Sequence, residues 1–366
     1  MAKTLERLLQ EGSKYLEDAG VPDAGLDAWY LLSEAFHIDR THYFLERTRE
    51  MSDEQLSLGD ERYQDMLKKR ARRIPLQQIL GVQEFMALPF QVDQSVLIPR
   101  QDTETLVELV LKECKNRESH VLDVCTGSGC IALSLAVLGR YESVTALDIS
   151  EDALHVAEKN VKALYLDSQI REKAGAFLDK WEKIEFGEKY LAKKWETWTK
   201  DQHKTEFILL ESNLFDALPL EKKYDILVSN PPYIPSSVIE ELEPEVRDHE
   251  PRLALDGKED GLYFYRKILA NAGNYLNLGA ALYFEIGYDQ GEALMGLFEE
   301  YGFEEVRVIQ DLAGNDRVAA ARWNHSVYQD RMPKGTEKIE IKLEKRYGSG
   351  KKTDGEVQKC GGDGPH

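Results

Sequence analysis

The sequence predicts an α/β fold, a parallel sheet with helices on both faces, preceded by a small helical domain. Three observations predict it. Short apolar runs near 120–124, 143–148, 207–211, 225–229, 280–286, 305–310 and 317–322 alternate with helical segments between residues 99 and 323, the pattern of a wound parallel sheet. The first of these runs ends in Cys125-Thr126-Gly127-Ser128-Gly129 and opens a helix. The run Tyr224-Asp225-Ile226-Leu227-Val228-Ser229 ends in Asn230-Pro231-Pro232-Tyr233. A chain of 366 residues is long enough for two domains with a substantial core.

In chain order, residues 1–76 read as helices. Leu5, Leu8, Leu9 and Leu16 approximate helical spacing, as do Leu26, Tyr30, Leu31 and Ala35, and Ser52 is an N-cap candidate. Residues 77–98 carry Gly81, Phe85, Phe90, Val92 and Val96 and predict a β-hairpin connector. The α/β domain follows over 99–323. Inside it, residues 165–205 form a charged stretch in which Trp181, Trp195 and Trp198 punctuate Lys- and Glu-rich sequence. This stretch is expected to be a helical insertion entering at the amino end of the third strand, opposite the ligand rim. The tail 324–366 shifts to Lys, Glu and Gly; one edge strand is expected at 338–343 and disorder elsewhere.

Bulk properties narrow the function. Hydrophobic content of 42% with 31% charged residues is ordinary for a soluble globular protein. The N-terminus has no apolar targeting region and no run approaches a membrane span, so no membrane association is expected. Cys114, Cys125, Cys130 and Cys360 lack Cys-x-x-Cys spacing, so neither a zinc site nor a disulfide framework is indicated, which fits a reducing cytoplasm. A formal charge of −19 disfavours extended contact with a phosphate backbone and leans toward a protein substrate, particularly a basic one.

The glycine-rich turn predicts a cofactor. In His120 to Leu133 an apolar strand ends in glycines that let a ligand approach the backbone and aim helix N-terminal amides at it. A second strand, Val144 to Asp148, then ends in a carboxylate suited to ribose hydroxyls. Gly-x-Gly alone is weak, but strand, turn, helix, strand and Asp in order point to a nucleoside-bearing cofactor. Ala132 takes the place of the third glycine of the dinucleotide fingerprint, which tolerates alanine, so this turn alone does not exclude NAD.

The downstream turn predicts the acceptor. Pro231 and Pro232 fix φ and hold their predecessors extended, so the carbonyls there point in set directions. Asn230 offers a side-chain carbonyl and Tyr233 a flat ring. Together they suit a planar group bearing an NH2, gripped by two acceptors and stacked on the ring. Alone, such a tetrapeptide also fits a proline turn with no chemistry; the cofactor turn upstream changes the balance. Ligands of open α/β sheets bind beyond the carboxyl ends of the strands, which puts Cys125, Asp148, Asn213 and Asn230 on one rim.

Asp123 to Gly129 resembles the S-adenosylmethionine-binding motif of class I (Rossmann-like) methyltransferases, and Asn230 to Tyr233 resembles the motif of their amino-methylating branch. More narrowly, the chain resembles the PrmC/HemK family over about residues 1–323, including Leu97 to Glu104 and Glu245 to Gly257. The resemblance implies S-adenosyl-L-methionine as cofactor and a peptide chain release factor as partner, methylated on the glutamine of its Gly-Gly-Gln motif. It implies a substrate-docking role for the helical domain, and with the acidic balance and no evident basic base-reading module, no direct nucleic-acid binding is expected. It carries cofactor contacts onto Asp123, Cys125, Thr126, Gly127, Ser128, Gly129, Asp148, Asn213, Leu214 and Asn230, and catalysis onto Asn230, Pro231, Pro232 and Tyr233. Arg100 is carried over as a residue shaping the rim. Three departures stand out. Cys125 takes the place of a usual glycine and either crowds the cofactor or needs a slightly shifted turn. Asn213 replaces a frequent acidic residue, and Gln101-Asp102 replaces a commoner Pro-Glu pair. None removes a group the chemistry requires.

No general base is needed near the turn. Asp225 precedes the buried run and is expected to have a solvated or capping role, and His249 and Glu250 are expected to order a loop. The rival from another class is an adenine amino-group methyltransferase acting on DNA or RNA, because the same turn fits a flipped base. A non-catalytic scaffold is a third reading, which the intact Asn230 and Tyr233 disfavour.

Overall fold

The computed structural model describes residues 3–166, 176–186, 190–199 and 204–324. The chain opens with five helices: α1 (Leu5–Asp18), α2 (Ala24–Phe36), α3 (Arg40–Glu46), α4 (Asp53–Ala71) and α5 (Leu76–Leu80). The Thr4 hydroxyl caps α1 by accepting from the Arg7 amide at 3.2 Å, and Asp39 caps α3 by accepting from the His42 amide at 2.7 Å. Leu5, Leu8 and Leu16 pack with Ala28, Leu31, Leu32 and Tyr63 in one apolar core. Leu26 and Tyr30, expected on the α2 core stripe, lie exposed, because Ala24, Ala28, Leu31, Leu32 and Ala35 already fill the face toward α1 and α4.

The connector is the expected hairpin, β1 (Val82–Phe85) against β2 (Leu88–Gln91). Met86 and Ala87 both adopt left-handed backbone at its tip, as a tight two-residue hairpin turn requires.

Next come α6 (Gln101–Glu113), β3 (His120–Val124), α7 (Cys130–Ser134), β4 (Ser143–Asp148), α8 (Glu151–Leu166), β5 (Ala176–Phe186), β6 (Tyr190–Thr199), β7 (Lys204–Glu211) and β8 (Tyr224–Ser229). The order continues with α9 (Tyr263–Ala272), β9 (Leu276–Glu285), α10 (Gly291–Glu300), β10 (Phe303–Gln310) and β11 (Asp316–Trp323). One nine-stranded sheet results, in the order β10-β11-β9-β8-β3-β4-β7-β6-β5. Its centre, β7-β4-β3-β8-β9, is parallel, while β11 runs antiparallel to both β9 and β10. Side chains alternate between faces: Val121 and Val228 enter the core beneath α6 and α8, Leu122 and Leu227 the core beneath α9 and α10. Both faces of the central strands are therefore apolar, which explains their continuous hydrophobic runs.

The expected helical insertion at 165–205 is corrected by the structure. Within it, β5 and β6 form an antiparallel hairpin, and β6 pairs antiparallel with β7, extending the sheet. Trp195 is buried against Phe207, with ring centroids 6.2 Å apart. Aromatic and β-branched residues favour such a surface, and pairing satisfies the backbone groups of β7 that would otherwise form an open edge. The dense Lys and Glu content imitates a solvated helix. Here, however, Lys193 pairs with Glu158 and Lys194 with Glu206 across elements. The edge strand expected at 338–343 lies outside the described residues.

Candidate active site

The parallel order reverses direction at β3, which has β4 on one side and β8 on the other. A crevice at such a switch point, beyond the carboxyl ends of the strands, is where open α/β sheets hold ligands. A cavity of about 300 Å³ opens there, lined by Cys125, Thr126, Gly127, Ser128, Asp148, Asn213, Leu214, Asn230 and Pro232. The structure thus brings most of the predicted residues together. Asp123, Gly129, Pro231 and Tyr233 do not line it and stand directly behind or beside those that do.

On the β3 side the turn is shaped by left-handed backbone at Cys125 (φ 64°), Gly127 (φ 56°) and Gly129 (φ 80°). A side chain at 129 would press on Ala157 and Leu133 at 3.3 Å, whereas Gly127 faces open space. The amide of Thr126 donates to the Leu147 carbonyl at 2.8 Å, tying the turn to the next strand. The Thr126 hydroxyl donates to Asp123 at 2.6 Å. Burial pushes the Asp123 carboxyl up to about 7, the Thr126 hydrogen bond opposes this, and Asp148 reinforces it. Asp123 Oδ1 is left without a partner.

Asp148 accepts from the Gly127 amide at 2.8 Å and from the Ser150 amide at 2.9 Å. Burial raises its pKa, against the pull of those two amides and that of Ile149. A carboxylate offers about four acceptor positions, so acceptor capacity remains for a hydroxyl donor in the cavity that Asp148 lines. A glycine that exposes its backbone, an acidic strand end and a cavity of this size together fit a nucleoside-bearing cofactor. Cys125 takes the left-handed conformation a glycine would adopt freely, and burial pushes its thiol well above the ordinary range.

The Asn213-Leu214 turn is set by Ser212, whose hydroxyl donates to the Leu214 carbonyl at 2.6 Å and accepts from the Ala217 amide at 3.0 Å. Asn213 donates to Asp216 at 3.1 Å, a neutral amide among the lining groups.

The turn Asn230 to Tyr233 is supported by residues that the sequence reading missed. Gln290 is buried and donates to the Tyr233 carbonyl at 3.0 Å while accepting from the Gly287 amide at 2.9 Å. A Cβ at Gly257 would sit 2.7 Å from the Tyr233 backbone, and one at Gly261 only 2.3 Å from its carbonyl oxygen. The segment after Tyr233 pairs with the later loop, Ile234 N donating to Leu255 O at 3.0 Å and Gly257 N to Ile234 O at 2.8 Å. The two glycines four apart after Asp256 were the available sequence signal. The Tyr233 hydroxyl donates to Glu285 at 3.4 Å, and burial pushes the phenol far up. Asn160 of α8, fully buried, donates to the carbonyls of Ser128 and Gln91 and locks hairpin to turn.

Arg100, Thr103, Leu253, Lys258, Tyr263 and Phe264 complete the wall. Arg100 donates to Glu250 at 2.5 Å; burial raises the Glu250 carboxyl despite the guanidinium. His249 bonds to the Arg72 carbonyl at 3.2 Å and its own carbonyl accepts from Gln78, so it orders a loop against the helical domain. Glu245 accepts from Arg73 through both oxygens at 2.6 Å and from Arg70 at 2.8 Å, and Arg70 also holds Asp27 at 2.6 Å. The loop after the turn is thereby fastened to the helical domain. Asp225 lies at the amino edge of β8, accepting from the His120 amide and from Asn277, a capping role far from the cavity.

Sheet order, glycine turn and acidic strand end define a class I methyltransferase, an enzyme that uses S-adenosyl-L-methionine. Known proteins agree. A model described as PrmC N-terminal domain matches residues 7–81, and one described as Methyltransferase small domain matches 100–187. The release factor glutamine methyltransferase of Geobacter sulfurreducens is 36% identical over 319 residues, covering 87% of this chain and 96% of that protein. The protein of the same name from Moorella thermoacetica is 37% identical over 321 residues, covering 87% and 98%. This chain belongs to the release factor glutamine methyltransferase family. Among the described residues, no helix is long and apolar enough to cross a membrane.

Proposed function

We propose that this enzyme methylates the side-chain amide of the glutamine in the Gly-Gly-Gln motif of peptide chain release factors. One observation carries the proposal: Asn230 and Pro232 line the same cavity as the Cys125–Ser128 turn and Asp148. The residues that would hold the cofactor are the Cys125–Gly129 backbone, Asp148 on the ribose, and the Asn213-Leu214 turn. When bound, S-adenosylmethionine supplies a methyl already activated on a sulfonium.

The remaining difficulty is the acceptor, because an amide nitrogen shares its lone pair with its carbonyl. The Asn230 side-chain oxygen and the Pro231 main-chain oxygen accept its two N–H bonds. Positive charge grows on nitrogen as the methyl arrives, so both acceptors bind the transition state more tightly than the ground state. Tyr233 packs on the amide plane and, with Pro232, sets the angle of approach. The products are the N-methyl amide, the thioether and one released proton. Alignment of a bound donor and acceptor supplies roughly 7–11 kcal/mol of a barrier, so positioning dominates without a general base.

Purified protein with radiolabelled cofactor and release factor tests the reading, with peptide-mapped mass spectrometry locating the label. Methyl on the Gly-Gly-Gln glutamine, and none on duplex or single-stranded DNA or RNA, is the expected result. Labelled nucleic acid with untouched release factor overturns the substrate assignment in favour of adenine.

A further inference from the structure

Glu285 ends β9 and is only 2% exposed. Its Oε1 accepts from the Tyr233 hydroxyl at 3.4 Å, and its Oε2 has no hydrogen-bond partner. The groups facing it come from every element around it. Thr103 of α6 lines the cavity and interacts with the carboxyl. Arg317 of β11 faces it as well, but its guanidinium is held at 3.1 Å by both Asp102 and Asp311. Cys130 of α7 lies within its field. The Tyr265 hydroxyl of α9 donates to its main-chain carbonyl at 2.7 Å.

A buried carboxyl with one unsatisfied oxygen costs stability, most of all when it is charged. Thr103, Arg317 and the Tyr233 hydroxyl offset part of that cost. What it touches is the far end of the Tyr233 ring.

We propose that Glu285 is a positioning residue for methyl transfer, its carboxylate anchoring the Tyr233 hydroxyl and so fixing the ring against which the acceptor amide lies. This rests on the reading that Tyr233 packs on that amide. A charged acceptor makes the shorter and stronger hydrogen bond, so the anchor is firmest when Glu285 is ionised. Burial raises the Glu285 carboxyl to about 7, against Thr103 and Arg317 and with Asp102 adding to the rise. The anchor thus forms across neutral pH.

The experiment measures kcat, KM and cofactor affinity against pH for the wild type, Glu285→Gln and Tyr233→Phe, with release factor as substrate. Wild-type kcat should rise about tenfold between pH 6 and 8, the change in ionised fraction of one group titrating near 7. In both variants that rise should flatten, with kcat at pH 8 reduced roughly tenfold and cofactor affinity kept within about twofold. Thermal unfolding gives an assay free of substrate. A carboxyl raised from 4.5 to about 7 on folding favours the native state below pH 4.5, an advantage lost as pH climbs through 7. Glu285→Gln should therefore gain on the wild type by about 5 °C in Tm between pH 5 and 8. A wild-type pH rise retained in either variant overturns the proposal, as does a Tm difference that ignores pH. A wild type inert toward release factor at every pH overturns the substrate reading instead.

Discussion

On the cofactor side of the cavity, the turn from Asp123 to Gly129 takes its shape from its own backbone. Three left-handed residues lie in one contiguous run, tied to Leu147 and Asp148 of β4 and to Asn160 of α8. The turn from Asn230 to Tyr233 on the acceptor side borrows its support. Gln290, Gly257, Gly261 and Glu285 reach it from loops and strands some 25 to 60 residues away in sequence, by the separations of those positions. On the proposed function the first side cradles a common cofactor and the second clamps one particular amide, so substitutions on the two sides should fail differently.

The largest effect is expected at Asn230. Asn230→Ala removes one of the two proposed acceptors and should cut kcat by about 10²–10³, with the cofactor affinity measured by calorimetry little changed. Equal losses in both quantities would merge the two walls into one. Gly261→Ala sharpens the contrast without touching a reacting group. Its φ of 73° and the 2.3 Å approach to the Tyr233 oxygen leave a Cβ no room. Stability should fall by about 3 kcal/mol. In protein that remains folded, kcat should drop more than tenfold at near-constant cofactor affinity.

Asp148→Ala should do the reverse, weakening cofactor binding by about tenfold, the value of a charge-assisted hydrogen bond, with kcat at saturation largely kept. An unchanged titration would move the ribose contact elsewhere. The smallest effect belongs to Cys125→Gly. It relieves a left-handed cysteine and should raise stability by up to about 1 kcal/mol in a denaturant titration. A loss there would mean that the thiol packs usefully in its pocket.

The same contrast governs what the sequence disclosed. Val121 to Val124 alternates between two cores and Gly127 and Gly129 follow at once, so strand, turn and helix could be read in one pass. Asn230 to Tyr233 was legible because proline restricts its own backbone. Gln290 and Glu285 were not, since nothing local distinguishes them from other polar residues near a strand end. Their contacts with Tyr233 exist only once β9 lies beside β8. The hairpin at 176–199 failed for a related reason: its charges suit a solvated helix, and only pairing with β7 makes strands the better solution. Leu26 and Tyr30 misled because several helical registers fit α2, and the choice rests with α1 and α4.

The most direct measurement is a crystal structure of the chain with the demethylated cofactor product and a Gly-Gly-Gln peptide bound together. The glutamine nitrogen is expected within about 3 Å of both the Asn230 Oδ1 and Pro231 carbonyl oxygens, facing the cofactor sulfur. A glutamine amide seated away from residue 230, or a nucleoside bound outside the Cys125–Asp148 rim, would contradict the proposed function.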